Sequence, residues 1–150
     1  MNEKWDMRFL RLAQETSTYS KDPSTKVGAV VFKNKRFISA GFNGFPKKIK
    51  DLPERLSDRD LKLKIVIHAE LNAILFAKRS LKGCSIAVYP FMPCSSCSSI
   101  IIQKGIKRVI APENDNERWK VSFDITKWML EEAGVELLLV PKIIEENTTI

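Results

Sequence analysis

Histidine occurs once in this 150-residue chain and cysteine only three times. A single histidine excludes a three-histidine zinc site, a His-Glu-x-x-His protease helix and any polyhistidine tract. It leaves room for one Cys-Cys-His metal site, or for one histidine base. An odd, sparse cysteine count argues against a disulfide framework. Long apolar runs are missing too: none approaches the ~18–20 residues that span a bilayer as a helix. The opening residues, Met1-Asn2-Glu3-Lys4-Trp5, lack the apolar stretch of a secretory signal. The expected setting is therefore soluble and cytoplasmic. There are no internal repeats and no low-complexity tract. A length of 150 residues with 44% hydrophobic content suits one domain with one core.

Acidic residues are outnumbered. Lys and Arg total 25 against 18 Asp and Glu, a net charge of +7. The excess clusters in Lys33-Asn34-Lys35-Arg36 and Lys47-Lys48-Ile49-Lys50. Such runs are most often solvated surface, but they also attract phosphates or nucleic acid. Charge alone does not choose between a phosphorylated small molecule and a polynucleotide.

The expected elements follow from periodicity. Trp5, Phe9, Leu12 and Ala13 fall at helical spacing and predict a helix over 4–16. Val27–Phe32 and Phe37–Phe42 read as a hairpin. Residues 43–67 read as a long connection with a short helix near Leu61–Leu63. A helix is expected from His68 to about residue 80. Ser85–Tyr89 is a strand, and Cys94–Lys104 a helix closed by Gly105. Val109–Ala111 is a short strand. Val121, Ile125, Trp128 and Met129 mark a last helix closed by Gly134, and Val135–Val140 is a final strand. The order α-β-β-α-β-α-β-α-β predicts an α/β fold with a mixed, about five-stranded central sheet and helices on both faces. Residues 1–141 form the expected domain, and 142–150 a polar tail.

His68 and Glu70 open one predicted helix, and Cys94 and Cys97 open the next. In alternating α/β folds, helix N-termini gather along one sheet edge, where ligands bind. Their dipoles favour thiolates and anions. Two residues three apart at a helix start share one side, so both cysteines can face one ion. With His68 they make three protein ligands, which leaves a zinc position open for water. Glu70, two residues after the histidine, is placed to take a proton from that water. Taken singly, each part has an ordinary reading: a satisfied histidine, a redox Cys-x-x-Cys pair, a first-turn carboxylate. Cys84 stands apart and reads as packing. Together, His-x-Glu followed by Pro-Cys-x-x-Cys is the signature of zinc nucleobase deaminases.

On these residues the chain resembles the cytidine and deoxycytidylate deaminase superfamily, from about Trp5 to Pro141. The stretches Ser20-Lys21-Asp22-Pro23-Ser24-Thr25-Lys26-Val27-Gly28-Ala29, Gly41-Phe42-Asn43-Gly44-Phe45-Pro46, His68-Ala69-Glu70-Leu71-Asn72-Ala73-Ile74 and Pro93-Cys94-Ser95-Ser96-Cys97 carry the likeness. Gly105-Ile106-Lys107-Arg108-Val109 and Glu132-Ala133-Gly134-Val135 extend it. Gly-Phe-Asn-Gly-Phe-Pro and Leu-Asn-Ala-Ile look most like the deoxycytidylate branch. Free cytidine deaminases usually have cysteine where His68 stands. Transfer-RNA adenosine deaminases usually carry Thr-x-Glu before the Pro-Cys, where this chain has Tyr89-Pro90-Phe91-Met92.

The resemblance implies a three-layer cytidine deaminase-like fold and hydrolytic deamination of dCMP to dUMP and ammonia. It implies one zinc per chain on His68, Cys94 and Cys97, with Glu70 moving protons to N3 and to the leaving amino group. It implies Asn43 on the sugar, the Ala69 N–H on the pyrimidine O2 and the Met92 carbonyl on the 4-amino group. Candidates for the 5′-phosphate are Lys26, Arg36, Lys47 and Arg55. The segment containing Gly41, Asn43 and Gly44 is implied to bind effector triphosphates, with dCTP activating, dTTP inhibiting and Mg²⁺ as a companion ion. A homohexamer is implied, with Arg79 at an interface. The second zinc of some phage members is expected to be absent. The alternatives are dCTP deamination alongside dCMP, a transfer-RNA or single-stranded nucleic-acid deaminase, and a non-catalytic nucleic-acid-binding module that kept the zinc. Retention of Glu70 argues against the last. The absence of a basic groove interleaved with aromatics argues against a nucleic-acid substrate.

Overall fold

The computed structural model describes residues 3–141. The expected tail, 142–150, lies outside the described residues. The chain runs α1 (Glu3–Ser17), β1 (Gly28–Lys33), β2 (Arg36–Phe42), α2 (Pro53–Leu56), α3 (Arg59–Ile65), α4 (Ala69–Phe76), β3 (Ser85–Tyr89), α5 (Ser95–Gln103), β4 (Arg108–Pro112), a 3₁₀ turn (Glu117–Trp119), α6 (Lys120–Ala133) and β5 (Glu136–Val140). The five strands form one sheet in the order β2-β1-β3-β4-β5. β1 is antiparallel to both β2 and β3, while β3, β4 and β5 are parallel. This is the mixed sheet that the alternating pattern predicts.

The two faces follow from side-chain alternation along the strands. Val30, Phe32, Ala87 and Ile110 point to one face, where Phe9, Leu10 and Ala13 of α1 cover them. Ala29, Val31, Ile86, Val88 and Val109 point to the other, against Ala69 and Ala73 of α4, Ile101 of α5 and Leu130 of α6. Cys84 lies in this second cluster as a buried packing residue. Arg108 fastens α1 to the sheet from its edge. It forks onto Asp6 at 2.7 and 3.1 Å and reaches Glu136 at 3.2 Å.

Several expectations need correction. The 43–67 connection carries two helices, α2 and α3. Pro53 begins the first, and the Asp58 side chain caps the second by accepting from the Leu61 N–H. The helix after His68 ends at Phe76, so Arg79 lies in the turn beyond it and donates to the Ser80 carbonyl. On α1, Leu10 is buried while Leu12 is half out. On α6, the expected apolar marker Val121 is 75% exposed and Trp128 60%, whereas Phe123, Thr126 and Leu130 face inward. That helix carries apolar residues on two sides, and only one side meets the sheet.

The helix that carries the site is held unusually close to β2. A Cβ on Gly41 would collide with the Ala73 nitrogen and stand 2.7 Å from the Ala69 carbonyl oxygen. Only glycine lets the two backbones approach this far. Ser39 Oγ donates to the Ala73 carbonyl at 2.6 Å, and Asn72 Nδ2 donates to the Phe42 carbonyl at 2.8 Å. Gly44 and Ile67 pair as an isolated antiparallel bridge just before the helix. Gly41 is thus a packing residue at this contact. We expect Gly41→Ala to cost about 1–3 kcal/mol by overpacking. Denaturant unfolding checks this, and a loss below about 0.5 kcal/mol contradicts the close-approach account.

Candidate metal centre and active site

Each chemical group stands at a helix start. His68 is the N-cap of α4, and Glu70 lies in that helix's first turn. Cys94 is the N-cap of α5, and its sulfur accepts from the Cys97 N–H at 3.5 Å. Positive dipole ends therefore face the site from both helices. The Pro93–Ser98 turn is fixed from behind by α6. Thr126 Oγ1 donates to the Pro93 carbonyl at 3.0 Å and lies 3.1 Å from Ser98 Oγ. The Ser95 N–H donates to Ser122 Oγ at 2.9 Å.

The convergence is tight. His68 Nδ1 lies 3.2 Å from Cys97 Sγ and 3.5 Å from Cys94 Sγ. The three ligand atoms all fall within 4.8 Å of one another. With Zn–N near 2.0 Å and Zn–S near 2.3 Å, tetrahedral geometry puts such atoms about 3.5 Å apart. The donor set fits zinc and leaves one coordination position for a non-protein ligand. Among the described residues, this is the one group of three or more His, Cys or acidic side chains able to share an ion.

The local electrostatics favour proton traffic. Glu70 is 4% exposed. Burial pushes its carboxyl up to about 7, while hydrogen bonds from its own N–H and from the Cys97 side pull it back in part. A carboxyl balanced near neutrality suits general acid–base work. Cys94 is held down to about 4, first because Cys97 donates to it and then because His68 does. Cys97 is pushed up by the same bond to Cys94 and by burial. His68 is raised by its bond to Cys94 against an opposing effect of burial. A thiolate at Cys94 beside an imidazole and a second sulfur is a donor set suited to zinc, whose binding would displace the protons these groups share.

These groups open onto a pocket of about 110 Å³ that His68, Ala69, Glu70 and Cys94 line. Phe91, Trp119 and Phe123 form an aromatic wall. Asn43 lines the pocket too, but its amide also ties the loops together. Oδ1 accepts from the Val27 N–H at 2.9 Å, and Nδ2 donates to the Thr25 carbonyl at 2.9 Å. The Met92 side chain is buried against Ala111 and Phe123. Its neighbour Phe91 is the one at the pocket wall.

The four basic phosphate candidates do not line this pocket. Lys26 Nζ folds back onto the Ser20 carbonyl at 2.6 Å. Arg36 sits at the hairpin turn, the far end of β2 from Asn43. Lys47 lies over the Phe76 ring at 5.2 Å, and Arg55 donates to the Lys50 carbonyl at 3.3 Å. The basic residues that do line it are Arg59, Lys62 and Arg118, which the sequence pattern did not single out. Lys62 is buried against Asp22 at 3.0 Å and Ser24 Oγ at 3.1 Å. Its position between Leu61 and Leu63 was the only signal, and it read as a helix.

Fold and site together define a class: an α/β domain in which two cysteines and one histidine can share an ion beside a buried carboxyl group. The comparisons make this particular. A sequence profile described as the cytidine and deoxycytidylate deaminase zinc-binding region matches residues 3–113. The chain belongs to that family, and its His-Cys-Cys set fits the zinc that the family's description names. It is 44% identical over 144 residues to a protein of Aliivibrio fischeri named "Uncharacterized deaminase in luxG 3'region", covering 94% of this chain and 97% of that one. It is 35% identical to the deoxycytidylate deaminase of Enterobacteria phage T2, covering 92% and 93%. The crystal structure of the dCMP deaminase of cyanophage S-TIM5 in complex with dCMP and dUMP superposes with a TM-score of 0.75 at 26% identity, covering 93% and 99%.

Glu70→Gln should retain one zinc per chain by metal analysis while losing at least about a hundredfold in deamination rate. Metal loss would instead make Glu70 structural. The same variant carries a stability signature. A carboxyl whose folded pKa, about 7 here, lies above its unfolded value loses stability as pH rises between the two. In chelated protein, Glu70→Gln should therefore gain on the wild type from pH 5 to pH 8, by up to about 3 kcal/mol. Urea unfolding at both pH values measures it, and a gap that does not grow with pH contradicts the burial account.

Proposed function

We propose that this protein catalyses the hydrolytic deamination of dCMP to dUMP and ammonia, supplying dUMP for thymidylate synthesis. The observation that carries the reading is the buried Glu70 carboxyl beside the His68-Cys94-Cys97 set on the floor of an aromatic-walled pocket. The named substrates of the T2 and S-TIM5 relatives support the choice of nucleotide.

Zinc, when bound, supplies Lewis acidity that makes water a nucleophile at neutral pH. The chain's own groups do the rest. Phe91, Trp119 and Phe123 give the pyrimidine ring an apolar wall that excludes water. Glu70 takes a proton from the attacking water and gives it to N3. It then takes the remaining proton from the hydroxyl now on C4 and gives it to the amino group, so that the C4–N bond breaks, the C4 carbonyl forms and ammonia leaves. The Ala69 N–H serves O2 and the Met92 carbonyl the 4-amino group. The second lone pair of Asn43 Oδ1 is left for the sugar hydroxyl.

Regulation belongs to the same proposal. A second pocket is lined by Tyr19, Lys21, Phe42, Asn43, Gly44 and Phe45. It shares Asp22, Asn43, Lys62 and Val66 with the catalytic pocket. An effector triphosphate there, dCTP or dTTP with Mg²⁺, would meet the wall of the active site directly. Exposed Leu75, Phe76 and Trp128 support burial against further copies in a homohexamer. Among the described residues no helix is long and apolar enough to cross a membrane, and a cytoplasmic site of action, the host's for a phage protein, fits the proposed reaction.

An ultraviolet assay on dCMP, dCTP, cytidine and single-stranded DNA, with and without dCTP or dTTP as effector, tests this. We expect turnover of dCMP, raised by dCTP and lowered by dTTP. Turnover of nucleic acid without turnover of dCMP contradicts the reading.

A further inference from the structure

We infer that the sheet edge opposite the catalytic pocket binds the phosphodiester backbone of nucleic acid, without reading its bases and independently of the reaction proposed above. Strand β3 runs from this edge toward Tyr89, and the turn beyond it carries Cys94, so the catalytic pocket lies at the other end. The strand register sets Arg36 of β2 opposite Lys33 of β1, Phe32 of β1 opposite Ser85 of β3, and Ser85 opposite Arg108 of β4. Lys35 lies in the hairpin turn, Lys82 in the turn before β3, Lys104 at the C-cap of α5 and Lys107 just before β4. The basic run Lys33-Asn34-Lys35-Arg36 thus gains cations from two further turns.

The turns are bonded side by side. The Gly83 N–H donates to the Gly105 carbonyl at 2.8 Å, and the Lys107 N–H to the Cys84 carbonyl at 2.9 Å. Lys33 Nζ stands 3.9 Å from where a side chain on Gly83 would begin. Lys35, Arg36, Lys82, Lys104 and Lys107 are exposed. Neither they nor Lys33 take part in an ion pair among the described residues. Arg108 already answers the carboxylates beside it, Asp6 at 2.7 Å and Glu136 at 3.2 Å. Between Lys35 and Lys107 opens a recess of about 270 Å³, lined also by Asn34, Ser85, Arg108 and the paired Asp6.

The spacing selects the partner. Adjacent strands lie about 4.8 Å apart, so the row from β2 to β4 spans about 15 Å. A small anion needs donors that converge on one point, and these are spread along a line. Duplex nucleic acid presents a phosphate about every 3.4 Å on each strand, so about four phosphates of one strand face an edge of this length. Lysine is depleted at protein–protein interfaces and serves phosphates well as a point charge. Base stacking is not provided for: Trp5 lines the recess, but Arg8 already lies over its ring at 4.6 Å.

The test is fluorescence anisotropy with a labelled mixed-sequence duplex DNA of about 20 base pairs, with salt varied from about 50 to 200 mM. The wild type should bind with Kd of about 10 µM or tighter at the low end, and about a hundredfold more weakly at the high end. Lys35→Glu/Lys107→Glu should weaken binding about tenfold or more, while Lys48→Glu/Lys50→Glu, the same change in net charge on the other basic run, should cost less than about threefold. Lys35→Gln/Lys107→Gln adds no acidic group and should lower the salt slope by about two. Weaker wild-type binding, equal losses in the two charge-reversed variants, or an unchanged slope overturns the inference. So does binding to phosphatidylserine vesicles without binding to the duplex. Excess dCMP should leave the duplex bound, and displacement would put the duplex in the catalytic pocket and overturn the inference. None of these readings uses turnover, so they stand or fall apart from the deaminase reading.

Discussion

The seating of α4 on β2 is the constraint from which the site follows. Gly41 removes the side chain that would hold the two backbones apart, and Ser39 and Asn72 bond across the gap. The bridge between Gly44 and Ile67 then fixes the approach to the helix. With α4 so placed, His68 enters at its cap and Glu70 in its first turn, both facing the start of α5. The hydroxyls of Ser98, Ser122 and Thr126 perform the matching service for Cys94 and Cys97. Two helix starts, α4 after the Gly44–Ile67 bridge and α5 after β3, meet over one sheet, and a three-ligand pocket results.

That meeting places a carboxylate where burial costs stability and supplies chemistry. A carboxyl kept in water would sit near pH 4 and be a weak proton carrier at neutrality. Burial holds Glu70 close to the working range, and the neighbouring thiolate and imidazole set its opposing fields. The floor of the pocket is strained electrostatically in the direction of function. The rim uses charge differently: a buried Asp22–Lys62 pair stands in the wall between two pockets, while Arg59 and Arg118 line the catalytic pocket as exposed side chains.

Much of this was legible in the sequence, for physical reasons. The strands alternate or run apolar, the helices are punctuated by Gly105 and Gly134 at positive φ, and the metal ligands sit at fixed spacing from helix starts. The illegible parts are those where a residue's role depends on what comes to meet it. Lys62 reads as a surface lysine until Asp22 folds over it. Arg59 and Arg118 lie 59 residues apart in the chain and share a pocket only through the tertiary fold. Gly41 reads as part of a loop motif, yet its absent side chain matters to helix packing. On α6, periodicity alone picked the exposed stripe of Val121, Ile125 and Trp128, because that helix is apolar on two sides.

The central claim is a single metal position held by one imidazole and two thiolates, with one site open. Zinc K-edge X-ray absorption on the purified protein addresses it most directly. The account predicts one zinc per chain with two sulfur neighbours near 2.3 Å and two nitrogen or oxygen neighbours near 2.0 Å. A third sulfur in the shell, or a chain that binds no zinc, would contradict it.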